Sequence, residues 1–99
     1  MRKEGILPTI VISETVQAIC EQLGKEEAEI CYTSLIKSGL QIQNLTPQIA
    51  KQAGFFKSKY RNVPMGDCII AATAEANQAS IVSDDAHFDL IPSAKRIWL

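Results

Sequence analysis

The sequence predicts an α/β fold with a largely parallel sheet of about four short strands flanked by helices, and two observations carry that prediction. Apolar runs that are β-branched or alternate with period 2 fall at residues 6–12, 40–45, 80–82 and 96–99, as short strands do. Between the first three lie segments with helical spacing and recognisable start and stop residues. Strands separated by helices are joined by crossovers, which makes neighbouring strands parallel and covers the sheet with helices. The chain has 99 residues, 46% of them hydrophobic, which fits one domain over 1–99, with a core but little spare burial.

Taken in order, ILPTIVI at 6–12 reads as the first strand, with Pro8 better suited to a strand's start than to its middle. Ser13 then caps a helix in which Val16, Ile19, Cys20 and Leu23 share a face and Gly24 is the stop. A second helix carries Ala28, Cys31, Tyr32 and Leu35 on one stripe and ends near Gly39. LQIQNL at 40–45 alternates as a short strand. Thr46-Pro47 supplies a cap and a first-turn proline to a third helix, whose stripe is Ile49, Ala53, Phe56 and Tyr60. Asn62-Val63-Pro64 breaks that helix and starts a fourth, running to about Gln78. The strand Ser80-Ile81-Val82, an acidic turn and the apolar end Arg96-Ile97-Trp98-Leu99 complete the chain.

Net charge is −1 and the sequence pI about 5.7, so no global positive field points to nucleic acid. A polyanion has to be held by a local basic patch or by bound metal. Cys20, Cys31 and Cys68 stand singly in apolar segments without Cys-x-x-Cys spacing, which reads as three buried thiols of a cytoplasmic protein rather than a disulfide framework. No apolar stretch reaches the roughly 20 residues that cross a bilayer, and the Met-Arg-Lys-Glu start lacks a signal peptide's apolar core.

The acids stand out. Glu14 is expected in the first turn of the first helix, Asp67 in the first turn of the fourth, and Asp84 and Asp85 after the last clear strand. In open α/β sheets ligands bind beyond the carboxyl ends of strands, where helices begin. Singly, each acid has a structural role: complementing a helix dipole contributes about 0.3–1 kcal/mol, and Asp after a strand is ordinary turn chemistry. Asp67 is harder to place so simply, because Ile70, Ala71 and Ala74 continue its helix face and all are apolar. A carboxylate heading a core stripe needs a compensating partner, and no Lys or Arg lies between Arg61 and Lys95. Carboxylate oxygens without a Cys or His pair select hard cations, so the expectation is Mg²⁺ or Mn²⁺, with the chemistry of a metal-dependent nuclease.

Three stretches together resemble a PIN domain, especially the VapC-like toxin ribonucleases: Ser13-Glu14 after an apolar run, Pro64-Met65-Gly66-Asp67-Cys68-Ile69-Ile70-Ala71-Ala72-Thr73-Ala74, and Ile81-Val82-Ser83-Asp84-Asp85-Ala86-His87-Phe88. The resemblance runs from about Gly5 to the C-terminus. It implies a three-layer fold and a metal site formed by Glu14, Asp67 and Asp85. In the family's Thr/Ser-x-Asp-x-x-Phe pattern Ser83 takes the hydroxyl position and Asp85 the acid; Asp84 falls on a variable position, and His87 where the family often has another acid or a His. These three are supporting residues. Phe88 reads as core. The family's first strand, ending in an aspartate and lying mid-sheet, has no counterpart, since MRKEGILPTI aligns with the second. The expectation is a site with three of four carboxylates in an N-terminally shortened domain, in one whose gap another copy or partner fills, or in one whose sheet halves have closed together.

Lys57, Lys59 and Arg61, with Lys51 before them and Tyr60 interleaved, are candidates to hold RNA through charge and stacking; cations ending a helix also favour its dipole. The resemblance implies a single-stranded RNA substrate, a small antitoxin protein as partner and a homodimer or higher homo-oligomer. A rival reading is a PIN-like binding or oligomerising module with impaired catalysis. A phospho-acceptor receiver domain also gathers acids around Mg²⁺, but the late strand followed by a lysine that it needs is not found in the expected order.

Overall fold

The computed structural model describes residues 5–82 and 96–97. Its contacts gather in two compact units, Met1–Asn44 and Leu45–Leu99. The described strands are β1 (Ile6–Pro8), β2 (Gln41–Gln43), β3 (Ile81–Val82) and β4 (Arg96–Ile97); the helices are α1 (Thr9–Leu23), α2 (Lys25–Ile36), α3 (Pro47–Lys59) and α4 (Met65–Ala76).

In the first unit β1 and β2 pair in parallel, with Ile6 opposite Gln41 and Pro8 opposite Gln43. The Gly5 carbonyl extends this ladder by accepting the Gln41 N–H at 2.8 Å. The strand expected over 6–12 is therefore only three residues long, and Thr9–Ile12 is helical. Pro8 has no N–H to give a continuing ladder, and β2 offers it partners only over 41–43. The helical cost of β-branched residues is a few tenths of a kcal/mol each, too small to resist. Pro8, with φ −66° and ψ 141°, occupies the cap of α1, so Ser13 is not a cap and Glu14 lies beyond the first turn.

No residue of α1 is buried. A fifteen-residue helix is about 22 Å long, whereas a three-residue strand spans about 10 Å. Val16 and Ile19 are half-buried, but Cys20 and Leu23 are exposed. Gly24, at φ 94°, is both the stop of α1 and the cap of α2: its N–H donates to Cys20 and its carbonyl accepts from Ala28. That backbone conformation is open to glycine and few others. On α2 Ala28 is buried, Cys31 and Leu35 are half-buried, and Tyr32 is exposed. Of the three thiols expected inside, only Cys68 is buried.

In the second unit α3 starts as its sequence predicts, with the Thr46 hydroxyl accepting the Ile49 N–H at 3.2 Å and Pro47 in the first turn. Ile49, Ala53 and Phe56 pack with Val63, Cys68, Ala71, Ala72 and Ala74 into a core edged by Tyr60, Ile69 and Ile70. The small side chains of α4 let the two helices approach closely. Thr73, also buried, returns its hydroxyl to the Ile69 carbonyl at 2.7 Å, which satisfies it within its own helix. α4 ends at Ala76, slightly before the expected Gln78. β3 and β4 pair in parallel, Ile81 with Arg96 and Val82 with Ile97. The α/β alternation and the parallel pairing are thus both present, the described strands being hydrogen-bonded as two pairs.

Candidate functional site

Asp67 is the best-defined of the predicted site residues. It is third in α4, within the first turn, and half-buried. Ala71 and Ala74, four and seven residues on, are buried and Ile70 is half-buried, so the carboxylate heads a core-facing stripe as the spacing predicts. The positive end of the helix dipole favours an anion at that position.

The loop before Asp67 is fixed from several sides. The Tyr60 N–H donates to Phe56 at 2.7 Å, Val63 N–H to Tyr60 at 3.0 Å, and Cys68 N–H to Pro64 at 3.0 Å. Val63 is fully buried. From the last turn of α3, the Lys57 ammonium donates to the carbonyls of Arg61 at 2.8 Å and Val63 at 3.0 Å. The Cys68 sulfur, 3.8 Å from the Val63 oxygen, makes a weaker bond to the same carbonyl. Burial pushes the Cys68 thiol up; the Lys57 charge opposes that shift and the Asp67 charge adds to it. The Cys68 sulfur is thus turned to a backbone carbonyl, and the Asp67 carboxylate supplies oxygen donors at this helix start.

The other predicted residues are placed as follows. Glu14 is exposed on α1, in the first unit. Ser83, Asp84, Asp85 and His87, with Phe88, lie outside the described residues. Lys59 and Arg61 are exposed, and Lys57 is half-buried. Tyr60 is half-buried, with its ring centroid 6.4 Å from that of Phe56 and Lys59 Nζ 5.5 Å from its own. Among the described residues no three His, Cys, Asp or Glu side chains come together. Sequence reasoning did not find the loop-tying role of Lys57; a lysine followed four and six residues later by the end of a helix and a proline break is only a weak signal for it.

Among the described residues no helix is long and apolar enough to cross a membrane. No curated protein sequence matches the chain significantly. The solved structures do. DNA-bound VapBC from Salmonella typhimurium superposes with a TM-score of 0.79 at 19% identity, covering 94% of this chain and 74% of that one. VapBC2 from Rickettsia felis, bound to a promoter DNA fragment, gives 0.75 at 20% identity over 94% and 73%. VapBC-1 from nontypeable Haemophilus influenzae gives 0.77 at 16% identity over 98% and 75%. The α/β fold, with parallel strands and the four described helices, is the fold of these structures. The PIN domain family model matches residues 1–93, nearly the whole chain including the start of α4 that carries Asp67, and the chain belongs to that family.

Proposed function

We propose that this PIN domain is a metal-dependent endoribonuclease of the toxin type, hydrolysing phosphodiester bonds of single-stranded RNA in the cytoplasm. The observation that carries the reading is Asp67, a half-buried carboxylate at the head of the core stripe of α4, in a chain of this family. Glu14, Asp67 and Asp85 are the residues that hold Mg²⁺ or Mn²⁺, with Ser83, Asp84 and His87 in support. Hard oxygen donors fit such a cation, and the neighbouring Cys68 sulfur is engaged with the Val63 carbonyl. When bound, the cation makes water a better nucleophile and neutralises charge developing on the phosphodiester.

The chain's own residues supply position and charge. Lys57 ties the loop that precedes Asp67. Lys59 and Arg61 are exposed to attract backbone phosphates, and Lys57 adds its charge to theirs. The VapBC structures it resembles suggest a small antitoxin protein as partner. Tyr32 and Ile36, large, exposed and four residues apart on one face of α2, give such a protein apolar side chains to cover. A homodimer or higher homo-oligomer is the assembly proposed for the free toxin.

The test is cleavage of a fluorescent single-stranded RNA in Mn²⁺ and in EDTA, with Glu14→Gln, Asp67→Asn and Asp85→Asn measured in parallel. Metal-dependent cutting that each substitution abolishes is the expected result. Cutting that none of them changes refutes the site, and a folded chain that never cuts leaves a binding module.

A further inference from the structure

Between Ile30 and Gly66 the sequence contains no Asp or Glu, yet Lys37, Lys51, Lys57, Lys59 and Arg61 fall there, five of the chain's ten Lys and Arg. The near-neutral chain is therefore polarised, and α3 lies wholly inside its cationic segment. The inner face of α3 is Ile49, Ala53 and Phe56, all buried. On the outer face Lys51, Phe55 and Lys59 recur at intervals of four and are all exposed, so their side chains fan over an arc of about 80°.

Phe55 is 61% exposed while its neighbour Phe56 is 7% exposed. A phenyl ring left in water on a helix face that carries a lysine four residues before it and another four residues after it, with no acid on the same helix, is matched in charge to a polyanion that carries apolar faces. Gly54 stands beside it, exposed in mid-helix, and a Cβ there would meet nothing within 4 Å. Neither packing nor backbone conformation requires glycine at that position, although glycine weakens a helix interior. Tyr60, the ring the sequence offers for stacking, is instead half-buried against Phe56 with the Lys59 ammonium near it.

We propose that Phe55, flanked by Lys51 and Lys59 on the outer face of α3, is a base-stacking subsite for single-stranded RNA. The lysines hold phosphates on either side, and Gly54 leaves the strand room to approach the ring. Stacking on an aromatic face tolerates any base, so the subsite contributes affinity and register rather than sequence choice. This inference rests on RNA being the substrate.

The experiment is the anisotropy of a labelled single-stranded oligoribonucleotide titrated with the full chain in EDTA, over a range of salt. Phe55→Leu weakens binding about tenfold without changing the slope of log affinity against log salt, and Phe55→Trp restores it. Lys51→Gln lowers that slope by about 0.7. If Phe55→Leu binds as tightly as the original chain while Lys51→Gln still lowers the slope, the stacking subsite is refuted and the RNA reading stands. If the unsubstituted chain binds no RNA, the ribonuclease reading fails and the subsite with it. If Phe55→Leu leaves RNA affinity intact but alters self-association in sedimentation, the face is a protein contact and the inference is overturned.

Discussion

Replacing Lys57 by Met keeps most of the side chain's length and removes both bonds that tie α3 to the loop before Asp67. The bond to the Val63 carbonyl, 3.0 Å and partly buried, is worth about 1.5 kcal/mol as a charged hydrogen bond. The one to Arg61, 2.8 Å but exposed, contributes about 0.5 kcal/mol because water competes for it. The Val63 carbonyl also accepts a long, weak contact from the Cys68 sulfur, which the substitution leaves in place. The expected loss is therefore about 2 kcal/mol, or about 8–16 °C in melting temperature for a chain of this size. Urea unfolding of Lys57→Met beside Lys59→Met is the assay. Lys59, exposed and 5.5 Å from the Tyr60 ring centroid, is worth only about 0.5 kcal/mol. Equal losses for the two variants refute the tethering role.

Other outcomes follow from the same unit. Phe56→Ala costs about 3–5 kcal/mol by opening a cavity in the core, whereas Phe55→Ala stays within about 0.5 kcal/mol; thermal melts of the pair decide it. Thr46→Ala costs about 1 kcal/mol by removing the cap of α3, and Gly54→Ala gains about 0.5–1 kcal/mol, both read by urea unfolding. Because burial raises the Cys68 pKa in the folded chain, the unfolded chain loses this proton first as pH rises past about 8.5. The contribution of this thiol to stability is thus flat below that pH and falls above it. Unfolding free energies of the original chain and Cys68→Ala, compared across that range, differ by a pH-dependent amount if this holds and by a constant if it does not. A thiol reagent labels exposed Cys20 well before Cys68.

The second unit was the more legible in sequence. Thr46-Pro47 is a start signal with its own hydrogen bond, and Ile49, Ala53 and Phe56 at helical spacing are buried as their pattern predicts. Asp67 falls where its following apolar residues placed it. The first unit was harder, because Thr9–Ile12 is β-branched and reads as strand, while the length of β1 is decided by Pro8 and by what β2 can pair. That shift carried Ser13 away from the cap and Glu14 out of the first turn. Cys20 and Leu23 fit a helical stripe, yet periodicity says which residues share a face and not whether another element covers it. Phe55 and Phe56 are chemically alike, and only the position of α4 against α3 separates an exposed ring from a core one. Lys57 was legible as a cation near a helix end but not as a loop tether, since its partners are backbone carbonyls that sequence does not distinguish.

The most direct measurement of the central claim is the melting temperature of the chain and of Asp67→Asn across a Mn²⁺ titration, with EDTA reversal. A cation that binds only the folded chain contributes about 2.7 kcal/mol at a hundredfold excess over its Kd, a rise of about 10–20 °C. The account predicts that rise for the original chain and its loss in Asp67→Asn. Equal Mn²⁺-dependent rises in the two proteins, or none in either, would contradict the assignment of Asp67 to a metal site.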